Sequence, residues 1–515
     1  MMSPKKVTTA AAFKAYDELI SEIETFGEIN KLCNRYCDSN ELSNRIVQQI
    51  TSDLLPLFTK MLIEQKTCSL SVQKICASLY SVDFKKSQIS FNFFNSSKRF
   101  IFIFCFLIFT FFCLFYSLFR RSPETSTPST ILLIGDSDWH LKGDGFLEFC
   151  KEGPVTPLNF AERLIVQANK LPDNAKNSEI GYHKFSIHQL ANKSLCRADR
   201  FMVLLMCIKS FWWFVTSVLK SRTMLLLDPR EVAWVPITAW LNKKGLLKDV
   251  VGTNSTFQVQ HLWARGLSEQ NFKFHMVWYS QNFIPKLYSG ETEIVSFPSA
   301  RHMRVDHHWV WTQGFCDYLR SIGQRSTISV VGPLLWYPQP SLDLASNKYS
   351  DPIKIAVFDV TPVSSKLDTF GAFKNYYTSS VMKMFVSEIL SAASALSKIH
   401  GVKFKIMLKR KRSYDKLKHD EDYFEYLVKL EKKHDFFEIV SHDLNLYSFI
   451  ANSHLSIAIP YTSTCYIAAA LKKPSIYFDP FGELNPKYEK SPWIHFSSKP
   501  QTLQKTISKL LFSHS

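Results

Sequence analysis

The chain has 515 residues, enough for two or three domains, and its 46% hydrophobic residues supply material for real cores. With 22 Pro and 16 Gly, it is not a low-complexity or fibrous protein. The formal charge of +17 favours anionic partners: a phosphorylated substrate, an acidic membrane face or a nucleic acid. Eleven cysteines without a CxxC pair argue against a zinc site or a disulfide scaffold and suit a reducing compartment.

Residues 1–22 are polar and charged, so no signal peptide is expected there. Leu42, Ile46, Ile50, Leu54, Phe58 and Leu62 recur at helical spacing, and residues 1–98 are expected to be mostly helical. Residues 100–119 hold twenty residues without a charge, nine of them Phe. At about 1.5 Å per residue a helix of that length spans roughly 30 Å, the hydrocarbon thickness of a bilayer, and a transmembrane helix is expected. Lys98, Arg99, Arg120 and Arg121 bracket it, so charge does not orient it. Residues 122–130 read as a polar linker.

The run 131–134 reads as a buried strand ending in Gly135-Asp136-Ser137-Asp138, and 158–169 as a helix. Residues 201–219 are almost as apolar as the first span but carry Lys209 at their middle. They fit a helix in a membrane interface or a buried helix equally well. Strands are expected at 224–227, 275–279, 305–311 and 328–331. Asp306-His307-His308 is an incomplete ligand set, and adjacent strand residues face opposite ways, so no metal is expected.

A Pro- and Ser-rich stretch, 338–352, divides this part from a second strand-first unit. There, strands at 353–358, 402–408, 437–440, 455–459 and 475–478 alternate with helices at 379–399, 420–434 and 445–451. Such alternation predicts two Rossmann-like α/β halves, 131–337 and 353–515. After the strand 455–459 come Thr462, Ser463 and Thr464, where a helix starts. A helix N-terminus offers unpaired N–H groups and the positive end of a dipole. One hydroxyl suffices for a cap, and three point to a phosphate site.

The run 453–480 resembles the donor-site region of bacterial surface-carbohydrate (O-antigen or capsule type) biosynthesis proteins of the GT-B glycosyltransferase type. Residues 305–323 with 331–333 are similar to the stretch joining their two halves, and 355–362 to the start of their second half. The resemblance implies a glycosyltransferase that moves a sugar from a nucleotide-sugar to a growing surface glycan, and the apolar span with the basic surface favours a membrane anchor and a lipid-linked acceptor. Thr462, Ser463, Thr464, Lys409 and Arg410 would hold the donor phosphates. His442, Asp443, Asp479 and Glu483 would contact the nucleotide or sugar. Asp136 and Asp138 are the candidates for the acceptor base. No cofactor or metal beyond the nucleotide-sugar is implied. Dispersed basic residues and the lack of a recognition module weigh against nucleic acid. The same fold hosts sugar-nucleotide epimerases and polyol-phosphate transferases, and a degenerate membrane scaffold is a further alternative. Nucleotide-sugars in bacteria are cytoplasmic, so an inner-membrane protein with 131–515 in the cytoplasm is expected. A single span would then leave residues 1–98 outside.

Overall fold

Short apolar runs separated by helical stretches bury strands on both faces, and that pattern folds here as two parallel sheets flanked by helices. The computed structural model describes residues 18, 20–26, 29, 41–63, 75–76, 78–119, 129–133, 164–167, 187–253, 260–265, 272–278, 302–333, 352–362, 378–410, 413–415, 419–482, 484 and 491–512.

The N-terminal part holds a helix, α1 (Glu41–Ile63), and an antiparallel meander of β1 (Ile75–Cys76), β2 (Tyr80–Asp83) and β3 (Gln88–Phe91). The expectation of a mostly helical segment missed this meander. Its strands are at most four residues long, too short for period-2 patterning to stand out. Helix α1 is clamped to the rest of the chain. Arg45 is 1% exposed and donates to Glu231 at 2.5 and 2.8 Å.

The first apolar span forms α2 (Phe93–Ser117), which starts seven residues before the charge-free run because Asn92 caps it by accepting from the Asn95 N–H. The second forms α4 (Arg197–Lys220), preceded by α3 (Ile187–Ser194). Both are long and apolar enough to cross a membrane, yet only 28% of either apolar window is buried. They pack antiparallel: Phe100 stacks on Phe214, and Phe104 meets Phe211 at 5.3 Å. Residues 224–227, expected as a strand, lie mostly in a 3-10 turn, Arg222–Leu226, that leads into α5 (Pro229–Lys243). An Asp228–Glu231 capping box starts α5 and overrides the apolar run before it.

The first sheet runs β5-β4-β6-β7-β8-β9, formed by β4 (Ser129–Leu133), β5 (Leu164–Gln167), β6 (Leu247–Thr253), β7 (Lys273–Val277), β8 (His307–Val310) and β9 (Thr327–Val330). Residues 158–169 were expected as a helix, and the described part of them is the strand β5, paired Ile131↔Ile165 with β4. Three apolar residues in a row, Leu164 to Val166, do not separate the two states by period. Strand β6 was not anticipated, because Lys248, Asp249 and Gly252 interrupt its apolar pattern. Short helices α6 (Leu262–Arg265) and α7 (Gln313–Ser321) lie between its later strands. His307 and His308 do face opposite ways. His308 is fully buried and accepts from Trp278 Nε1 at 3.0 Å, and burial holds its pKa down to about 3. His307 stacks on Trp309 at 4.1 Å.

The second sheet runs β12-β11-β10-β13-β14-β15, all parallel. Its strands are β10 (Ile353–Phe358), β11 (Phe404–Lys409), β12 (Phe437–Val440), β13 (Leu455–Ala458), β14 (Ser475–Asp479) and β15 (Ile494–Ser498). In chain order this is the 3-2-1-4-5-6 arrangement of a doubly wound Rossmann sheet. Helices α8 (Ser379–His400), α9 (Glu421–Lys433), α10 (Leu446–Ala451), α11 (Ser463–Ala470) and α12 (Pro500–Phe512) cover it. Ile355 and Val357 of β10 face the cluster that includes α8, α9 and α12, whereas Ala356 and Phe358 face the cluster that includes α10 and α11. That second cluster also takes in Val251, Val277, Trp309 and Trp311 from the first half. The carboxyl ends of β6, β7 and β8 therefore border the second half along one apolar seam. Two α/β halves with parallel sheets are the fold the sequence predicted.

Candidate functional site

Strands β10 and β13 are neighbours, with Phe358 in register with Ala458. After β10 the chain returns to one side of the sheet, and after β13 to the other. The two outgoing loops diverge and leave a crevice at the carboxyl edge, where ligands of open α/β sheets sit. Asp359 and Thr361 leave β10 there, and residues 459–463 leave β13.

The turn after β13 is strained. Tyr461 is 2% exposed and holds φ +63°, a left-handed conformation that costs an L-residue about 1–2 kcal/mol. The Tyr477 hydroxyl donates to the Thr462 carbonyl at 2.5 Å and holds the turn from below. Thr462 is the N-cap of α11, yet its side chain makes no cap hydrogen bond. Its hydroxyl donates backward to the Ile459 carbonyl at 2.9 Å. This corrects the expected grouping of three equivalent hydroxyls. The Thr462 proton belongs to the turn, while Ser463 and Thr464 stand half-buried on the first turn of the helix. The Thr464 hydroxyl lies 3.4 Å from that of Thr462.

Lys409 ends β11, in register with Phe358 and so one strand from the crevice. It is 7% exposed, and its ammonium donates to the His442 carbonyl at 2.5 Å. Burial pushes its pKa down to about 8, against the pull of Asp443 and Asp359. Asp359 is itself buried and accepts from the Tyr423 hydroxyl at 2.8 Å. Burial and that carboxylate drive the tyrosine's pKa well above its ordinary value. Arg410 lays its guanidinium over the Phe424 ring, 4.8 Å from the centroid. Two buried polar atoms on this edge, Thr361 Oγ1 and Arg410 Nε, have no hydrogen-bond partner among the described residues. Such a group costs about 1–3 kcal/mol unless something satisfies it.

The other expected residues separate. His442 and Asp443 pair with each other at 3.4 Å beyond β12. That strand stands three strands from β13, roughly 14 Å at the usual strand spacing, so they flank Lys409 and not the turn. Asp479 is fully buried, and its two oxygens accept from the Phe481 and Leu484 N–H groups at 3.1 and 2.7 Å. Its carboxylate staples the turn after β14, which corrects the expectation that it meets a sugar. Asp136, Asp138 and Glu483 lie outside the described residues. Sequence reasoning passed over Asp359, Thr361 and Tyr423. The signal for the first two was their place just after the strand that turned out to flank the switch point.

A family model described as polysaccharide biosynthesis PFTS motif protein matches residues 210–507, more than half of the chain. A tetrapeptide one substitution from P-F-T-S stands within that stretch, Pro460-Tyr461-Thr462-Ser463, in the strained turn. The chain belongs to the polysaccharide biosynthesis PFTS motif family. No curated protein matches it. Among solved structures, this PFTS motif protein is similar to the lipopolysaccharide outer core galactosyltransferase WaaB (12% identity, 75% of this chain, 91% of that chain, TM-score 0.40). It is also similar to the wall teichoic acid polymerase TagF (12%, 81% and 89%, TM-score 0.39) and to S. aureus MnaA in a co-structure with UDP (12%, 75% and 88%, TM-score 0.38). Likeness at that level transfers no residue roles.

Proposed function

We propose that this PFTS motif protein is a glycosyltransferase, moving a sugar from a nucleotide-sugar to a glycan or lipid-linked acceptor in polysaccharide synthesis. The observation that carries the reading is the start of α11 at the switch point, with no side-chain cap and with the Ser463 and Thr464 hydroxyls on its first turn; the buried cation Lys409 ends β11, two strands from β13 on the same edge. A diphosphate satisfies each of them: its oxygens accept from N–H and O–H groups, and its charge offsets the cost of burying the ammonium. Thr361 Oγ1 and Arg410 Nε, both buried without a partner among the described residues, are the further polar atoms on that edge for the donor to engage.

Sugar transfer breaks the bond between the anomeric carbon and the diphosphate, leaving negative charge on the phosphate oxygen. Lys409, Arg410 and the dipole of α11 stabilise that charge as it develops. The chain itself supplies the positive charge, so the reading assigns no metal. His442 and Asp443, beyond Lys409, are assigned to the nucleotide, and Glu483 to the sugar. The acceptor hydroxyl must lose a proton, and Asp136 and Asp138, which follow β4 in sequence, are assigned that role.

The test is transfer itself. The full chain, incubated with UDP-, GDP-, CDP- and CMP-sugars and a lipid extract from cells that make the polysaccharide, should convert one donor class into a lipid- or glycan-bound sugar. Release of a sugar epimer without any acceptor would instead identify an epimerase. Inertness toward all four, with no nucleotide bound, would leave a scaffold.

A further inference from the structure

Helices α2 and α4 each suffice in length and apolarity to cross a bilayer, but the contacts around them forbid it. If α2 alone crossed, residues before it would be parted from those after it. Yet Arg45 bonds Glu231, and Gln48 accepts from the Gln260 N–H at 3.0 Å. If α4 alone crossed, β4 would be parted from β6, and the two pair in register, Ile131↔Val250. If both crossed as a hairpin, residues 118–196 would lie on the far side, and β4 would again be parted from β6. Every spanning arrangement severs a ladder or a buried ion pair.

The pair instead lies along the body of the protein. At one end Phe100 stacks on Phe214, and at the other Arg200 donates to the Ser117 carbonyl. Helix α5 backs it, where Ser210 donates to the Val232 carbonyl at 3.2 Å. The opposite face is open. Ile101, Phe112 and Trp212 are 59%, 61% and 61% exposed, and Phe102, Phe201 and Leu205 extend the same surface. Large apolar side chains exposed to that degree along both helices make a surface on the order of 1,000 Å², beyond the few hundred usual on a soluble monomer.

Charge decides what covers it. The two helices contain one acidic residue, Asp199, and it is paired with Lys244 at 2.8 Å. Lys98, Arg197, Lys209 and Arg222 are exposed on or beside the pair. A second copy seated face to face would oppose cation to cation. A layer of anionic lipid headgroups meets the cations while its acyl chains take the rings. Lys209, costly at the centre of a spanning helix, reaches the headgroups from a helix lying in the plane.

We propose that α2 and α4 form a monotopic docking surface seated in one leaflet of an anionic membrane, with neither helix crossing it. This rests on the fold and not on the sugar-transfer reading.

Two measurements on the full chain test it. Epitopes placed at the N-terminus, within 122–128 and at the C-terminus should all be cut from the same side of sealed membrane vesicles. An epitope in 122–128 protected when the other two are cut would overturn the proposal. Purified protein should float with vesicles of phosphatidylcholine and phosphatidylglycerol and bind phosphatidylcholine alone about tenfold less. The variant Ile101→Glu/Phe112→Glu/Trp212→Glu should bind about 100-fold less at an unchanged melting temperature. Retained flotation in that folded variant would refute the surface. So would a wild-type dimer that binds no vesicles and becomes monomeric in the variant.

Discussion

Lys409→Met should make the free protein more stable while weakening its hold on a nucleotide. Burial drops the Lys409 pKa from the ordinary 10.5 to about 8. At about 1.4 kcal/mol per pH unit, keeping that ammonium charged at pH 7 costs the fold roughly 3 kcal/mol. Methionine fills a similar volume without the charge, at the loss of one hydrogen bond to the His442 carbonyl, about 1 kcal/mol. The variant should therefore gain about 2 kcal/mol at pH 7. The sign with pH follows from proton counting. Between about 8 and 10.5 the unfolded chain holds the proton that the folded chain has lost, so the wild type gains stability as pH rises through that window. By pH 10 the difference should have closed. Urea midpoints of both proteins at pH 7 and pH 10 measure it, and nucleoside diphosphate titration at pH 7 should show affinity reduced about 10- to 100-fold. A variant less stable at pH 7, or a gap that does not change with pH, would refute the account of Lys409 as a strained, phosphate-directed cation.

Further outcomes follow from the same contacts. In the wild type, kcat/KM for the donor should fall as pH rises through about 8, where free Lys409 loses its charge, and Lys409→Arg should move that limb above pH 10. Glu231→Ala strands the buried Arg45 guanidinium and removes the α5 capping box, so it should cost about 3–5 kcal/mol. Proteolysis of that variant should release the N-terminal segment first, and resistance equal to wild type would contradict the clamp. Asp479→Ala leaves two turn N–H groups without acceptors and should lower stability by about 2–4 kcal/mol. It should leave kcat of the folded fraction nearly unchanged. A selective loss of sugar affinity would return Asp479 to the ligand.

Most of the second half was legible because its inner strands β13 and β14 are buried at every position and bounded by polar turns, whereas the half-buried β15 and the helix α12 after it were not anticipated. Leu455–Ala458 is buried at every position, and the hydroxyl-rich turn after it marks the helix start to within two residues. The roles of the three hydroxyls were not legible. Which way the Thr462 side chain turns depends on the left-handed Tyr461 before it, a tertiary constraint held by Tyr477 from the next strand. Asp479 shows the opposite failure. An acid at a strand end reads as a ligand group until its two backbone partners are seen. The apolar span showed its length and chemistry in the sequence but not its setting. Only the pairing of β4 with β6 and of Arg45 with Glu231 reveals that both its flanks belong to one body.

The proposed role of the turn after β13 and the start of α11 is to bind the diphosphate of a nucleotide-sugar. Calorimetric titration of the full chain with UDP, GDP and CDP, alongside the folded Ser463→Ala/Thr464→Ala variant, tests it most directly. One nucleotide should bind the wild type, and its affinity should fall about 10- to 100-fold in the variant, at two hydrogen bonds of about 1 kcal/mol or more each. Equal affinity in both proteins would contradict the claim and place the donor elsewhere.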